Sequence, residues 1–273
     1  MILRLHHRMN TENSLSHAMY WFVFCKDELL LERTPDGYGI PLQAEPPVPL
    51  AAWHTQLVLP DLDGHASRAV RIDAPVTGIP RFEMKGLRAC FGVLSPALYA
   101  HAGKGAELLY WDGNTRFCGV CGAPMRLHTH ISKRCTNCGK EVWPQLATAI
   151  IVLVRRKDEI LLVHANNFRG DYYGLVAGFV ETGESLEECV RREVWEETRI
   201  RVTNIRYVAS QPWPYPCGLM TGFVADYDGG EICLQREELG AGGWYDKNHL
   251  PPIPGKVSLA RRLIDAWLEG QLA

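Results

Sequence analysis

Residues 178–200, read as GFVETGESLEECVRREVWEETRI, place three glutamates where a helix would turn apolar side chains toward a core. Ser185 followed three positions later by Glu188 forms a capping box, which starts a helix there. At about 100° per residue, Leu186, Cys189 and Val190 mark its buried stripe. Glu193, Glu196 and Glu197 fall on the same stripe, one or two turns further along. Carboxylates at i, i+3 and i+4 repel one another. The negative end of the helix dipole adds to that repulsion. A fold keeps such a cluster when cations sit among the carboxylates, and ligands that are all oxygen suit Mg²⁺ or Mn²⁺. The competing reading is a solvated acidic helix paired to Arg191, Arg192 and Arg199. The overlap of acidic and apolar faces, with a glycine turn leading in, favours the metal site.

The spacing also resembles the Nudix box, Gly-x5-Glu-x7-Arg-Glu-apolar-x-Glu-Glu-x-Gly-apolar. Gly178, Glu184, Arg192, Glu193, Val194, Glu196, Glu197 and Ile200 match it. Arg199 stands where the family has its last glycine, at a helix-terminal turn and not at a metal-binding group.

A length of 273 residues predicts two domains and a small module. With 47% hydrophobic and 22% charged residues the chain can build ample core, and a formal charge of −2 gives no bulk attraction to nucleic acid or anionic membrane. No apolar run approaches membrane-spanning length, and residues 1–10 carry His and Arg but no signal-peptide core. The last three residues, Gln271, Leu272 and Ala273, do not match the peroxisomal signal. The expected compartment is the cytoplasm with no membrane partner, where nine cysteines are reduced or metal-bound.

Residues 1–114 read as an α/β domain, with strands at 20–24, 28–31, 55–59 and 69–72 and a proline-rich surface connection at 41–49. An alanine-rich stretch, 94–111, is expected to be helical and broken near Gly103. A cysteine module occupies 115–143. In 144–273, buried strands at 147–154 and 160–164 form a hairpin about the polar turn 155–159. Residues 172–180 then lead into the glutamate helix, followed by strands at 205–210, 220–227 and 243–245 and an amphipathic helix at 258–268. The mixed α/β/α sandwich expected for this last region is what the Nudix resemblance implies.

Cys118-Gly-Val-Cys121-Gly and Cys135-Thr-Asn-Cys138-Gly are two Cys-x2-Cys knuckles separated by 13 residues. Four thiolates with no spare ligand suit a closed, tetrahedral, structural Zn²⁺ site, against the alternatives of two disulfides or an iron–sulfur centre. Cys25, Cys90, Cys189, Cys217 and Cys233 are scattered and read as small apolar residues.

Downstream, Ser210-Gln-Pro-Trp-Pro-Tyr-Pro-Cys-Gly218 is a loop stiffened by three prolines that presents Trp213 and Tyr215. These aromatics and Gln211 could stack on and hydrogen-bond a base, or Trp213 could plug a core. The string resembles the Ser-Gln-Pro-Trp-Pro-Phe-Pro-x-Ser element of NADH pyrophosphatases, Nudix enzymes that hydrolyse NAD(H) and remove NAD caps from RNA. Tyr215 replaces the phenylalanine and Gly218 the final serine. The order of N-terminal domain, zinc ribbon, Nudix box and loop carries the resemblance over nearly the whole chain.

By that resemblance Glu193, Glu196 and Glu197 hold the catalytic metals together with the Ala177 carbonyl and Glu238. Phe179 stacks on the nicotinamide, while Trp143 and the loop Gln211, Pro212, Trp213, Pro214, Tyr215, Pro216, Cys217 and Gly218 line the nucleotide pocket. Ala260 closes that pocket with backbone and Arg88 reaches the substrate from the N-terminal domain. Packing is the competing role for Phe179 and Trp143, and surface charge for Arg88. The implied reaction is metal-dependent hydrolysis of NAD(H) to AMP and nicotinamide mononucleotide, and of NAD-capped RNA to 5′-monophosphate RNA, by a homodimer. Glu196 or Glu197 is the expected base. A Nudix hydrolase acting on another nucleoside diphosphate compound such as ADP-ribose, and a non-catalytic nucleotide sensor, compete with it.

Overall fold

The computed structural model describes residues 18–272; the reading of residues 1–10 above lies outside them. Contacts divide the chain into two units. The first takes in the described residues through Gln145, with Pro214–Pro216, and the second takes in Leu146–Trp213 and the chain from Cys217 onward.

The first unit is built on β1 (Met19–Cys25), whose sequence MYWFVFC has no polar face. A strand of this kind must be buried on both sides. Phe22 and Phe24 enter one core with Leu31, Leu57, Leu59 and Leu109. The alternate residues Trp21, Val23 and Cys25 enter a second core with Leu30, Val70 and Ile72. Around β1 stand β2 (Glu28–Thr34), β3 (Gly37–Gly39), β4 (Leu42–Gln43), β5 (Gln56–Leu62), β6 (His65–Arg71) and β7 (Phe82–Gly86). The sheet runs β3-β2-β1-β6-β5, with β4 against β1 and β7 against β2. The β1–β6 pair is parallel.

One helix, α1 (Pro96–Asn114), covers the first of these cores, capped by the Ser95 side chain, which accepts from the Leu98 amide. The helix is continuous through Gly103, contrary to the break expected from the sequence. A Cβ on Gly105 would approach the Ala69 Cβ to 3.1 Å, and one on Gly103 the Pro214 side chain to 3.1 Å. These glycines allow close packing, and that packing offsets a propensity penalty of about 1 kcal/mol each.

The ribbon is a three-stranded antiparallel sheet in the order β10-β9-β8: β8 (Met125–Thr129), β9 (Ser132–Cys135) and β10 (Glu141–Val142). Gly122 and Gly139, each following the second cysteine of a knuckle, have φ of 72° and 74°. That left-handed conformation is open to glycine without strain.

The second unit is an α/β/α sandwich. Its sheet contains β11 (Ala147–Arg156), β12 (Glu159–Ala165), β13 (Val176–Phe179), β14 (Val202–Trp213), β15 (Gly218–Tyr227) and β16 (Leu239–Asp246). The order is β14-β15-β11-β12-β16, with β13 on β11. Ile150, Val152 and Val154 of β11 pack under α2 (Leu186–Thr198), and Ile151 and Leu153 under α3 (Leu259–Leu268). The strand pairs in parallel with β15 from Ala147↔Gly218 to Arg155↔Asp226. Its register with β12 is confined to the turn end, Arg155↔Ile160 and Arg156↔Glu159. Beyond it β13 takes the place beside β11, from Ala149↔Phe179 to Val152↔Val176. This replacement brings Ala177, Gly178 and Phe179 to the sheet surface under the glutamate helix.

Candidate active site and zinc centre

The capping box opens α2: the Ser185 Oγ accepts from the Glu188 amide, and the Ser185 amide donates to the Glu188 carboxylate at 2.7 Å. The helix is thereby phased so that Cys189, Val190 and Val194 are buried and Glu197 lies among them, 6% exposed. Glu193 is partly buried. Glu196, expected on the same stripe, is half exposed on the flank.

Glu197 is the focus of the electrostatics. Burial first, then the charges of Glu193, Glu238 and Glu196, push its carboxyl up to about 8. Burial likewise raises Glu193, against the Arg192 guanidinium that lowers it. Ala177, Glu197 and Glu238 line one cavity of about 360 Å³ with Asn166, Phe168 and Glu237. Backbone contacts hold the Glu238 loop: the Asn166 amide donates to the Glu238 carbonyl at 2.7 Å, and its side chain to those of Arg236 and Glu237. Nothing in the sequence pattern signalled Asn166, because its role is to bind main chain far along the sequence.

Gly178 makes room for the cluster. A Cβ there would lie 1.9 Å from the Glu193 carboxyl carbon, so the carboxylate rests where any other residue has a side chain. Arg192 joins the acids, donating to Glu184 at 2.6 Å, to Glu193 at 2.8 Å and to Glu196 at 3.2 Å. It also donates to the Phe179 carbonyl at 2.9 Å. The same guanidinium draws the Glu184 carboxyl down to about 2. Glu184 further accepts from the Glu181 amide, which ties the glycine turn to the helix. The acids with their glycine cradle suit a hard divalent cation.

Among the described residues, one group of metal-binding side chains already converges. The Sγ atoms of Cys118, Cys121, Cys135 and Cys138 lie within 4.8 Å of one another. Amides of Val120 and Cys121 lower the Cys118 thiol, and those of Asn137 and Cys138 lower the Cys135 thiol. The Ala123 amide lowers Cys121. Against the Lys140 amide, the neighbouring thiols push Cys138 up to about 12. Four converging sulfurs in two knuckles, with no further ligand position, fit Zn²⁺. The cluster is a closed structural zinc site.

The aromatic loop divides between the units. Tyr215 packs in the first: its hydroxyl is 2.5 Å from that of Tyr99, and the Arg88 guanidinium lies 4.5 Å from its ring centroid. Tyr215 and Arg88 line a cavity of about 560 Å³ with Lys26, Arg71, Tyr110, Pro214 and Pro216. Tyr99 gave no signal in the sequence. Trp143, also in the first unit, is 54% exposed. In the second unit, Pro212 pairs with Leu219 and Trp213 with Gly218 across β14 and β15. A Cβ on Gly218 would stand 3.1 Å from the Trp213 carbonyl oxygen, so the glycine allows a tighter turn than a serine would. The Gln211 side chain donates to the Val257 carbonyl at 2.7 Å, while its own buried oxygen has no hydrogen-bond partner among the described residues. The Cys217 carbonyl accepts from the Ala147 amide at 2.8 Å. Phe179 is 65% exposed, whereas Ala260 is buried against the sheet by α3.

Comparison with known proteins supports this arrangement along the chain. Residues 18–111 match the NADH pyrophosphatase-like rudimentary NUDIX domain, 114–142 the NADH pyrophosphatase zinc ribbon domain and 144–267 the NUDIX domain. The NAD-capped RNA hydrolase NudC of Klebsiella pneumoniae is 45% identical over 190 residues, 68% of this chain and 72% of that protein. The chain belongs to the NADH pyrophosphatase family of Nudix hydrolases. A NudC of Pectobacterium atrosepticum is 47% identical over 169 residues, 62% of this chain and 65% of that protein, just under two thirds of its length. Among solved structures, a NUDIX hydrolase from Nitrosomonas europaea aligns over 57% of this chain and 92% of its own, with 22% identity and a TM-score of 0.49. The matched zinc ribbon holds all four cysteines, and the matched NUDIX domain that follows it holds the glutamate helix.

Proposed function

We propose that this chain hydrolyses the pyrophosphate bond of NAD(H) to AMP and nicotinamide mononucleotide, and removes NAD caps from RNA to leave a 5′-monophosphate. The observation that carries the reading is the glutamate cluster seated on Gly178, with Glu197 and Glu238 in one cavity. Glu193, Glu196, Glu197, Glu238 and the Ala177 carbonyl would hold Mg²⁺ or Mn²⁺. Such cations neutralise a diphosphate and acidify water.

The protein's own groups do the rest. Of the two candidate bases, Glu197 is the buried one, and it shares a cavity with Ala177 and Glu238. Arg192 aligns Glu184, Glu193 and Glu196 on one side of the helix. Phe179 offers an exposed face for the nicotinamide. Gln211, its side chain held on the Val257 carbonyl, makes nucleotide contacts together with Ala260, Pro212, Trp213, Cys217 and Gly218, and Trp143, Arg88, Pro214, Tyr215 and Pro216 are proposed to add to them. Residues 115–143 act as the zinc ribbon and 144–273 as the catalytic domain, in a cytoplasmic homodimer; among the described residues no helix is long and apolar enough to cross a membrane.

Purified protein with Mg²⁺ or Mn²⁺ is expected to release AMP from NADH and 5′-monophosphate RNA from NAD-capped RNA. Faster turnover of ADP-ribose than of NADH would instead favour the broader Nudix activity. Absence of AMP with either metal would reject the enzyme.

A further inference from the structure

The ribbon differs in charge from the rest of the chain. Residues 115–143 hold five of the 29 Lys and Arg residues, Arg116, Arg126, Lys133, Arg134 and Lys140, and a single carboxylate, Glu141. The remainder carries 24 cations against 30 acids. Even after four thiolates around one Zn²⁺ subtract two charges, the ribbon stays positive in an acidic protein.

The strand register concentrates this charge. Arg126 of β8 lies opposite Arg134 of β9, which in turn lies opposite Glu141 of β10. Glu141 is taken by Arg134, with Nη2 to oxygen at 3.0 Å. Arg126 faces a like charge and has no ion-pair partner among the described residues; it is exposed, as are Arg116 and Lys140. Like charges directly opposite across a ladder destabilise a sheet. The fifth cation is spent elsewhere: Lys133 is buried, 2.7 Å from Asp112. Beside Arg116, the Phe117 ring is 64% exposed. Exposed cations interleaved with an aromatic ring are what single-stranded nucleic acid binds, through backbone charge and base stacking.

We infer that the zinc ribbon, through Arg126 on β8 and the exposed cations Arg116 and Lys140 that flank its strands, holds phosphates of the RNA body that follows an NAD cap. This inference rests on the proposed activity toward capped RNA. A bare dinucleotide ends at the cap and gains nothing from these residues, so the ribbon selects for RNA over free NADH.

The test compares wild type with the double variants Arg126→Gln/Lys140→Gln and Arg126→Glu/Lys140→Glu on NADH and on a short NAD-capped RNA. Zinc content serves as the check of folding. Turnover of NADH should be unchanged, while kcat/KM on capped RNA falls about tenfold, through KM, for the charge reversal. The dependence of log KM on log salt should flatten by about 1.4 for two lost single-strand contacts. Uncapped RNA should inhibit cleavage of capped RNA by the wild type more than by either variant. If the glutamate variant loses zinc, the glutamine variant carries the comparison. Equal losses on both substrates, no loss on RNA, or wild-type binding to anionic phospholipid vesicles and not to RNA would overturn the inference. A wild type that cleaves neither substrate defeats the functional reading; the ribbon inference is then decided by RNA gel-shift affinity, which must still fall in the variants.

Discussion

At the scale of single residues, the cost of the site is borne by Glu197, a carboxyl buried among other carboxyls. Glu197→Gln keeps the volume and removes the proposed base, so kcat on NADH should fall by about 10² to 10⁴ with melting behaviour nearly unchanged. Wild-type turnover would reject the role. Gly178→Ala should lower activity at least tenfold while changing melting little, because the new Cβ must displace the Glu193 carboxylate from its seat. The raised Glu197 has a second consequence. Its folded value is about 8, against about 4.3 for an unfolded glutamate. Without metal, the stability that comes from its protonation is therefore fully present below the unfolded value and is lost as pH rises through 8. Melting of the metal-free protein should fall across that range, and added Mg²⁺ should stabilise progressively more as pH increases. A pH-independent metal effect would contradict the assignment of Glu197 to the metal cluster. The sequence placed the acids on α2, but it could not show that Glu196 lies half exposed or that Arg192 occupies three of the acids at once, since both depend on side-chain direction.

At the scale of elements, local chemistry was legible and long-range packing was not. The capping box located α2 because both of its hydrogen bonds close within four residues. Ser185→Ala should cost about 1 kcal/mol, measured by denaturant unfolding of the catalytic unit. Arg199, in place of the family's glycine, caps that helix in the left-handed conformation with φ of 60°. A side chain costs about 1 kcal/mol there, so Arg199→Gly should stabilise the protein by roughly that amount. The strands were found at their apolar centres but were drawn too short: 205–210 extends to Val202–Trp213 and 243–245 to Leu239–Asp246. Their ends mix glycines, Pro212 and polar residues such as Gln211 and Asp246, whose extended conformation comes from pairing with a neighbour, which the sequence does not reveal. The expected break near Gly103 failed for the same reason, because Pro214, to which Gly103 is fitted, and Ala69, to which Gly105 is fitted, are both distant in sequence.

At the scale of the whole molecule, the order of the parts was the clearest message of the sequence. Two cysteine knuckles, the glutamate helix and the aromatic loop are each short and locally encoded. Cys118→Ser should release zinc and lower the melting of the first unit, since a structural zinc site contributes to folding directly. Unchanged melting after zinc removal would contradict that. The catalytic sheet is less locally encoded. Its central strand β11 finds its parallel partner β15 only after about seventy further residues, from Ala147 to Gly218. Such pairings form late, because a long loop must close before they repay its entropy. During synthesis the run Ala-Ile-Ile-Val-Leu-Val therefore emerges well before its partner exists and stays open to other strands. A nascent chain stalled shortly before Gly218 should be prone to aggregate and dependent on chaperones, and one stalled far enough past Tyr227 for β15 to have left the ribosome should be released from both.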